Sequence, residues 1–334
     1  MVIKLPHQLN VVQINNSKMV VLESKGPNSS FKKGGRVMKW NRWRYLFTTL
    51  LILCSSPVFA QEREINLVLN EQIVQIPMVV DGIFKKKEVQ LTATIFHPPG
   101  NGPFPLIILS HGSNTDPSLR QKIGRYRIIP QIREFLNRDF AVIVPIRRGH
   151  GSSGGTWVEG FGSSCSAASY YEPGMEAAKD LLASINYASK LPYVRPDRIL
   201  LVGQSAGGFV SLATVSLNPS GIIGVVNFAG GHGGNPDKHP GVPCAPERLV
   251  ETIRKFAKTI SPPVLWHYAE NDLFFGPQVV REMFAAFQEA GGQGRLVIQP
   301  PFGKNGHMLF NSPSGIPIWT PEFDKFLMEF DLKK

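Results

Sequence analysis

From residue 104 onwards, short apolar runs alternate with longer stretches of helical period. The apolar runs span residues 106–109, 141–145, 199–202, 222–227, 264–268 and 296–298. The helical stretches lie near residues 118–137, 173–190, 205–217, 246–259, 277–290 and 321–330. Apolar runs separated by helices indicate strands buried on both faces of a parallel sheet. We therefore expect an α/β fold with helices on both faces of the sheet.

Residues 65–97 have a different pattern, in which apolar and polar positions alternate on either side of Asp81 and Gly82. This alternation predicts an antiparallel hairpin at the start of the sheet. No internal repeat or flexible linker divides residues 61–334, so we predict one domain there. Ligands of α/β sheets bind at the carboxyl ends of the strands. The segments that directly follow the apolar runs should therefore share one edge.

Residues 38–60 have the pattern of a signal peptide. A basic region at 39–44 precedes a short apolar region at 46–54, and Val-Phe-Ala ends at Ala60. A retained membrane anchor is the alternative, but the apolar region is shorter than the ~20 residues that a span needs. We expect cleavage after Ala60, export to the periplasm or the medium, and no stable membrane insertion afterwards.

The net charge of +11 is concentrated in this leader. Residues 1–60 hold nine Lys and Arg against one acidic residue, whereas residues 61–334 hold 27 basic and 24 acidic residues. Since the body has no patch of interleaved basic and aromatic residues, we expect no nucleic-acid partner. The signal-peptide unit opens at Met38. We therefore expect translation to start there, residues 1–37 being an upstream extension.

Ser205 is the candidate nucleophile, in the Gly-Gln-Ser-Ala-Gly turn at 203–207. An apolar strand runs directly into Gly203, and small and apolar residues of helical pattern follow the turn. A Gly-x-Ser-x-Gly motif requires this strand–turn–helix context, because its glycines permit the sharp turn that projects the hydroxyl. A turn that merely packs small residues closely is the alternative interpretation.

A serine hydroxyl needs a base to take its proton and an acid to orient that base. Asp272 follows the apolar run 264–268, with Glu270 as the alternative acid. His307 follows the last apolar run, in a glycine-flanked loop. We expect Asp272 and His307 to form a triad with Ser205, since acid and then base follow the serine in this arrangement. The other downstream histidines lie within a strand or before the acid: His267, His232 and His239.

The negative charge that develops on the reacting carbonyl needs two N–H donors. Ala206, the residue after the nucleophile, supplies one. The loop after the run 106–109 reads Ser-His-Gly-Ser and supplies the second, from Ser113 or alternatively from Gly112. We expect His111 to brace this loop rather than to take part in the chemistry.

These motifs resemble those of α/β-hydrolases, in particular the dienelactone-hydrolase-like and prolyl-oligopeptidase-related branches. The resemblance covers about residues 65–330 and is carried by Pro-Phe-Pro-Leu-Ile-Ile-Leu-Ser-His-Gly at 103–112, Gly-Gln-Ser-Ala-Gly-Gly at 203–208, Glu-Asn-Asp at 270–272 and Gly-His at 306–307. It implies an eight-stranded, mostly parallel sheet, with no metal and no organic cofactor. Dienelactone hydrolases typically use a cysteine nucleophile, so Ser205 puts a lactone substrate in doubt.

Two long loops, at 151–172 and 230–246, should leave the carboxyl edge of the sheet. Cys54 is lost with the leader, and each loop holds one of the two remaining cysteines, Cys165 and Cys244. In an oxidising compartment such a pair predicts a disulfide, with two unrelated buried thiols as the alternative. Cys244 and its loop histidines match no zinc-site spacing, so we expect no metal.

The segment 147–157 begins Arg-Arg-Gly-His-Gly. It resembles the Arg-Gly-x-Gly segment that prolyl-peptidase and cocaine-esterase relatives carry near the active site; a plain glycine-rich loop is the alternative. Arg147 or Arg148 could bind an acidic group of a substrate or pair with an internal carboxylate. The candidate substrate-contacting side chains are Arg148, His150, Trp157, Tyr170, Tyr171 and Phe274.

Together these features predict an exported carboxylic-ester hydrolase that forms an acyl-enzyme on Ser205. We expect its partner to be a small or medium-sized ester; the oligomeric state stays open. The Arg-Gly-His-Gly segment suggests a peptidase or amidase as the alternative. From a different class, the chain could be an inactive binding protein on a hydrolase scaffold.

Overall fold

The computed structural model describes residues 12–15, 18–21, 65–82 and 85–332. The chain divides into two compact units, Met1–Cys54 and Ser55–Lys334. In the first, Val12–Asn15 pairs antiparallel with Lys18–Val21. The predicted signal peptide lies outside the described residues. Among the residues described, no helix is both long and apolar enough to cross a membrane.

An eight-stranded sheet runs through the described part of the second unit, in the order β8-β7-β6-β5-β3-β4-β2-β1. Its strands are β1 Gln72–Val80, β2 Lys87–Phe96, β3 Phe104–Ser110, β4 Ala141–Pro145, β5 Val194–Gln204, β6 Ile222–Phe228, β7 Val264–Ala269 and β8 Gly294–Gln299. Strand β2 pairs antiparallel with β1 and with β4, and the other neighbours are parallel. The predicted mostly parallel sheet with an antiparallel hairpin is confirmed.

Seven α-helices lie in the same described region. They are α1 Pro117–Gln121, α2 Ile129–Leu136, α3 Tyr171–Ala188, α4 Ala206–Val215, α5 Pro246–Ala257, α6 Pro277–Glu289 and α7 Ile316–Glu329. Helices α3 to α6 pack on one face of the sheet, and α2 and α7 pack on the other. The predicted cover of both faces is confirmed.

The buried stretches of the inner parallel strands are mostly apolar because both of their faces are covered. In β3, Leu106 and Ile108 belong to one core cluster, whereas Ile107 and Leu109 belong to the other. Successive side chains of a strand point to opposite faces, so an unbroken apolar run is what two buried faces require.

The single helix expected at 118–137 is wrong. Helices α1 and α2 are separated by a segment in which Gly124 and Tyr126 have φ of 58° and 45°. Such left-handed residues end a right-handed helix. Helix α7 begins at Ile316 rather than near 321. Pro317 occupies its first turn, where proline is well tolerated, and Pro321 lies within the helix.

Candidate active site

Ser205 occupies a sharp turn between the end of β5 and the start of α4. Its φ is 56° and its ψ is −126°, a backbone conformation that is costly for a non-glycine residue. A Cβ atom at Gly203 would lie 2.2 Å from the Gly207 carbonyl oxygen, and one at Gly207 would lie 2.1 Å from the Ser110 carbonyl oxygen. Close backbone approach thus requires glycine on both sides of Ser205, and the predicted strand–turn–helix arrangement is present.

Asp272 and His307 form a buried pair on the loops that follow β7 and β8. Nδ1 of His307 lies 3.0 Å and 3.1 Å from the two carboxylate oxygens of Asp272. Oδ1 of Asp272 also accepts hydrogen bonds from the amides of Phe274 at 2.8 Å and Phe275 at 3.0 Å. Because Nδ1 donates to the carboxylate, the neutral imidazole has an unprotonated Nε2. The alternative acid, Glu270, is exposed.

Two asparagines for which the sequence predicts no role, Asn271 and Asn305, tie the acid loop to the histidine loop. Oδ1 of Asn305 accepts from the amides of Leu273 at 3.1 Å and His307 at 3.0 Å. Oδ1 of Asn271 accepts from the Phe302 amide at 2.8 Å. Their only signal in the sequence is their position beside the acid and the histidine, because asparagine is common in any loop.

A cavity of about 560 Å³ opens beside Ser205. Trp157, Phe161 and Phe274 contribute aromatic rings to its wall, and the loop 231–239 contributes much of the rest. The Phe274 ring is also stacked on the His307 imidazole, with centroids 4.1 Å apart. The imidazole therefore lies directly behind a residue of the cavity wall.

The amides expected to bind the oxyanion belong to residues that line this cavity, Ser113 and Ala206. Within the described part of the chain, neither amide donates a hydrogen bond to the protein. A Cβ atom at Gly112 would lie 3.3 Å from Cβ of Ser205, so the loop 110–113 packs against the serine.

Of the candidate substrate-contacting side chains, the structure brings Trp157 and Phe274 to the cavity. Tyr170 is buried, and its hydroxyl donates to the carbonyl oxygen of Cys244. Tyr171 packs against Phe256 with ring centroids 5.4 Å apart. Tyr170, Tyr171, Arg148 and His150 are not part of the cavity lining.

Both arginines of the 147–157 segment pair with internal carboxylates. Nε of Arg147 lies 2.7 Å from Glu159, and Nε of Arg148 lies 2.6 Å from Asp180. Burial opposes ionisation of Glu159, but the charge and hydrogen bonds of Arg147 hold the pKa of its carboxyl well below the usual range. Both arginines thus pair with carboxylates inside the protein rather than presenting a charge to a substrate.

His232 lines the cavity, although it precedes the acid in the chain and is not expected to act as the base. Its ring is buried, and neither nitrogen has a hydrogen-bond partner among the described residues. Burial lowers the pKa of His232 to about 4, so the ring is neutral at pH 7.

A disulfide joins Cys165 and Cys244, as predicted, with Cα atoms 5.0 Å apart. Cys165 lies in the long loop before α3, and Cys244 lies in the loop between β6 and α5. Both cysteines line the cavity beside Ser205. The bond therefore links the two loops that form much of the cavity wall.

Comparison with known proteins agrees with this architecture. The model of the alpha/beta hydrolase family matches residues 107–317, and the chain belongs to that family. Its structure is similar to the Pyrococcus furiosus esterase Pf2001, with a TM-score of 0.53 and 16% identity, covering 78% of this chain and 93% of that one. It is also similar to the Pyrococcus horikoshii acylaminoacyl peptidase, with a TM-score of 0.52 and 14% identity, covering 77% of this chain and 41% of that one. At these identities the likeness shows the fold. No curated protein sequence matches the chain.

Proposed function

We propose that this protein is an exported serine hydrolase that cleaves carboxylic esters of small or medium size. The observation that carries the proposal is the buried Asp272–His307 pair, whose imidazole is stacked on a wall residue of the cavity that Ser205 lines. The strained turn at Ser205 supports it, because backbone strain of this kind collects at reacting residues.

In the proposed reaction, Oγ of Ser205 attacks the acyl carbon while Nε2 of His307 takes the hydroxyl proton. Asp272 stabilises the resulting imidazolium, and the amides of Ala206 and Ser113 bind the oxyanion. Collapse of the intermediate breaks the bond to the alcohol, which leaves with the proton from His307. Water then attacks the acyl-enzyme by the same route in reverse and releases the acid.

The substrate and the location of the enzyme are also proposals. A cavity of about 560 Å³ is within the range that holds a small organic ligand, which favours compact esters over polymers. The Cys165–Cys244 disulfide favours export to an oxidising compartment, since such bonds are rare in the cytosol.

Amide hydrolysis is the second candidate, favoured by the structural likeness to the acylaminoacyl peptidase. Arg147 and Arg148 both pair with internal carboxylates. The Arg-Gly-His-Gly segment therefore no longer favours amide hydrolysis. We therefore expect short p-nitrophenyl esters to be cleaved with a higher kcat/KM than aminoacyl p-nitroanilides. The reverse order would favour the peptidase.

A fluorophosphonate probe tests the proposal directly. We expect it to label the folded protein at Ser205, and Ser205→Ala to abolish labelling and lower kcat by a factor on the order of 10⁴ or more. Ser220→Ala is the matched control, because Ser220 is exposed just before β6, at the opposite edge of the sheet. A folded wild type that takes no label, or a Ser205→Ala protein that still does, contradicts the proposal.

A further inference from the structure

The loop 110–113 is held from behind by a fully buried arginine. One terminal nitrogen of Arg147 donates to Oγ of Ser110 at 2.8 Å and to the carbonyl oxygen of His111 at 2.6 Å. The other side of the guanidinium fork binds both carboxylate oxygens of Glu159, at 2.7 Å and 3.0 Å. Because Glu159 pairs with Arg147, the positive charge behind the loop is buried together with its counter-charge.

The hydrogen bonds of His111 fix its tautomer. The amide of Arg147 donates to Nε2 of His111 at 3.0 Å, so the ring proton is on Nδ1. Nδ1 in turn lies 2.6 Å from the carbonyl oxygen of Gly112 and donates to it. Burial, followed by the charge of Arg147, lowers the pKa of His111 well below its ordinary value, so the ring remains neutral and both bonds persist.

A second histidine holds the end of the same loop. Nδ1 of His150 lies 3.1 Å from the carbonyl oxygen of Arg148, which can only accept, so Nε2 is unprotonated. Nε2 is 2.9 Å from Oγ of Ser113 and accepts a hydrogen bond from its hydroxyl group. The side chain of Ser113 is therefore turned towards the protein.

These bonds determine where the backbone amides point. In a trans peptide the C=O and N–H groups point in opposite directions. The His111 carbonyl is held by Arg147 and the Gly112 carbonyl by the His111 ring, so the amides of Gly112 and Ser113 are turned away from these partners. Gly112 packs against Ser205, and Ser113 lines the cavity. Each bond to a carbonyl also polarises the amide of the same peptide group.

We infer that the Arg147–Glu159 pair, acting through His111, is a positioning device that sets the Ser113 amide as an oxyanion donor. The inference rests on the proposed hydrolase function, because it assigns a role within that reaction. It gives the Arg-Arg-Gly-His-Gly segment a task in transition-state stabilisation rather than in substrate binding. Arg147, Glu159 and His111 do not themselves line the cavity and act only through the loop 110–113.

Two substitutions of His111 separate its two hydrogen bonds. In His111→Asn the amide nitrogen stands near Nδ1 and can still donate to Gly112, whereas in His111→Gln the oxygen stands near Nε2 and can only accept from Arg147. We expect His111→Gln to lower kcat by about 10- to 100-fold with KM within about twofold, because one oxyanion donor is worth about 100- to 1,000-fold and here it is misaligned rather than lost. His111→Asn should retain most of the activity.

Arg147→Lys tests the other half of the device, because a lysine cannot bind Glu159, Ser110 and the His111 carbonyl with one planar fork. We expect a fall in kcat similar to that of His111→Gln. Arg138→Lys is the matched control, since Arg138 binds Asp324 through a similar fork beside α7 and does not contact the loop. If Arg147→Lys does not fold, the two His111 variants decide.

All rates are referred to the number of sites that the fluorophosphonate probe labels, which removes the effect of unfolded protein. A trifluoromethyl ketone analogue of the ester supplies the second readout. Its affinity should fall by the same factor as kcat/KM, because both depend on oxyanion binding. A merely structural role would lower the melting temperature and the number of labelled sites, and would leave kcat per site unchanged.

Two outcomes overturn the inference in different ways. In the first, the wild type hydrolyses esters and is labelled at Ser205, but kcat per site and ketone affinity are unchanged in His111→Gln and Arg147→Lys. The positioning role is then wrong, and the proposed hydrolase function stands. If the folded wild type is not labelled at all, the proposed function is wrong and the inference falls with it.

Discussion

At the scale of single residues, the orientation of the His307 imidazole depends on one carboxylate. The carboxylate of Asp272 accepts a hydrogen bond from Nδ1 of His307, and its Oδ1 accepts hydrogen bonds from the amides of Phe274 and Phe275. An asparagine at this position keeps an oxygen for the two amides, and its NH₂ group then faces the imidazole. The acid loop should therefore keep its shape while the imidazole is driven to the wrong tautomer.

We predict that Asp272→Asn lowers kcat by a factor on the order of 10³–10⁴, with little change in the melting temperature. The reason is that Nε2 of His307 then holds the ring proton and cannot accept the serine proton; the factor is that seen for such a change in other triads. Steady-state kinetics and thermal unfolding provide the measurement. Glu270→Gln is the control, because this exposed neighbour makes no hydrogen bond to His307. If Glu270→Gln lowers kcat more than Asp272→Asn does, Asp272 is not the acid of the triad.

His232 is a second residue whose surroundings determine a measurable property. Its ring nitrogens find no hydrogen-bond partner among the described residues, and burial lowers its pKa to about 4. The rings around it, within 6 Å between centroids, are those of Phe161, Tyr170 and Phe209. In the unfolded chain the ordinary pKa is about 6.5. Above that value His232 is neutral in both states and contributes no dependence on pH.

Below about pH 6.5 the imidazole of His232 becomes protonated in the unfolded chain, whereas in the folded protein it stays neutral down to about pH 4. The free energy of unfolding therefore falls across this window, by roughly 1 kcal/mol per pH unit for this group. We predict that His232→Phe removes that contribution, so that the variant loses less stability than the wild type between about pH 7 and pH 5. Urea unfolding of both proteins at the two pH values measures it; parallel losses would contradict it.

At the scale of elements, the hydrophobic pattern predicted the middle of the strands better than their ends, since the run 199–202 covers only part of β5, Val194–Gln204. Strand β4 has the predicted bounds, Ala141–Pro145, because both of its faces are buried and its apolar run is unbroken. Strand β8 is at the edge of the sheet and is half-buried along its whole length, so only the middle of it, 296–298, stands out as apolar. The positions of Ser205, Asp272 and His307 followed from these strands, since each lies in the segment that follows a strand.

What the pattern could not predict is how irregular segments fold onto that edge. The left-handed conformation of Tyr126, between α1 and α2, has no signal in the sequence, because tyrosine rarely adopts that conformation. The pairing of Arg147 with Glu159 joins two points of a loop without periodicity. Such pairings are decided by burial and by which carboxylate the fold brings within reach.

At the scale of the whole molecule, the Cys165–Cys244 bond closes a loop across 79 residues of the chain. That stretch includes β5, Ser205 and α4, so the bond ties two cavity loops across the element that carries the serine. A cross-link of this span lowers the entropy of the unfolded chain, which is worth roughly 4 kcal/mol at 25 °C in the loop-closure model.

We predict that the double variant C165S/C244S unfolds in urea with a free energy lower by up to about 4 kcal/mol. Its KM should rise while kcat changes little, because the cysteines line the cavity, whereas Ser205, Asp272 and His307 lie in the segments that follow β5, β7 and β8. Alkylation and mass mapping of the wild type without reductant is the accompanying measurement. Two freely alkylated thiols would contradict the bond, and an equal loss of kcat would mean that the cavity loops also position the reacting residues.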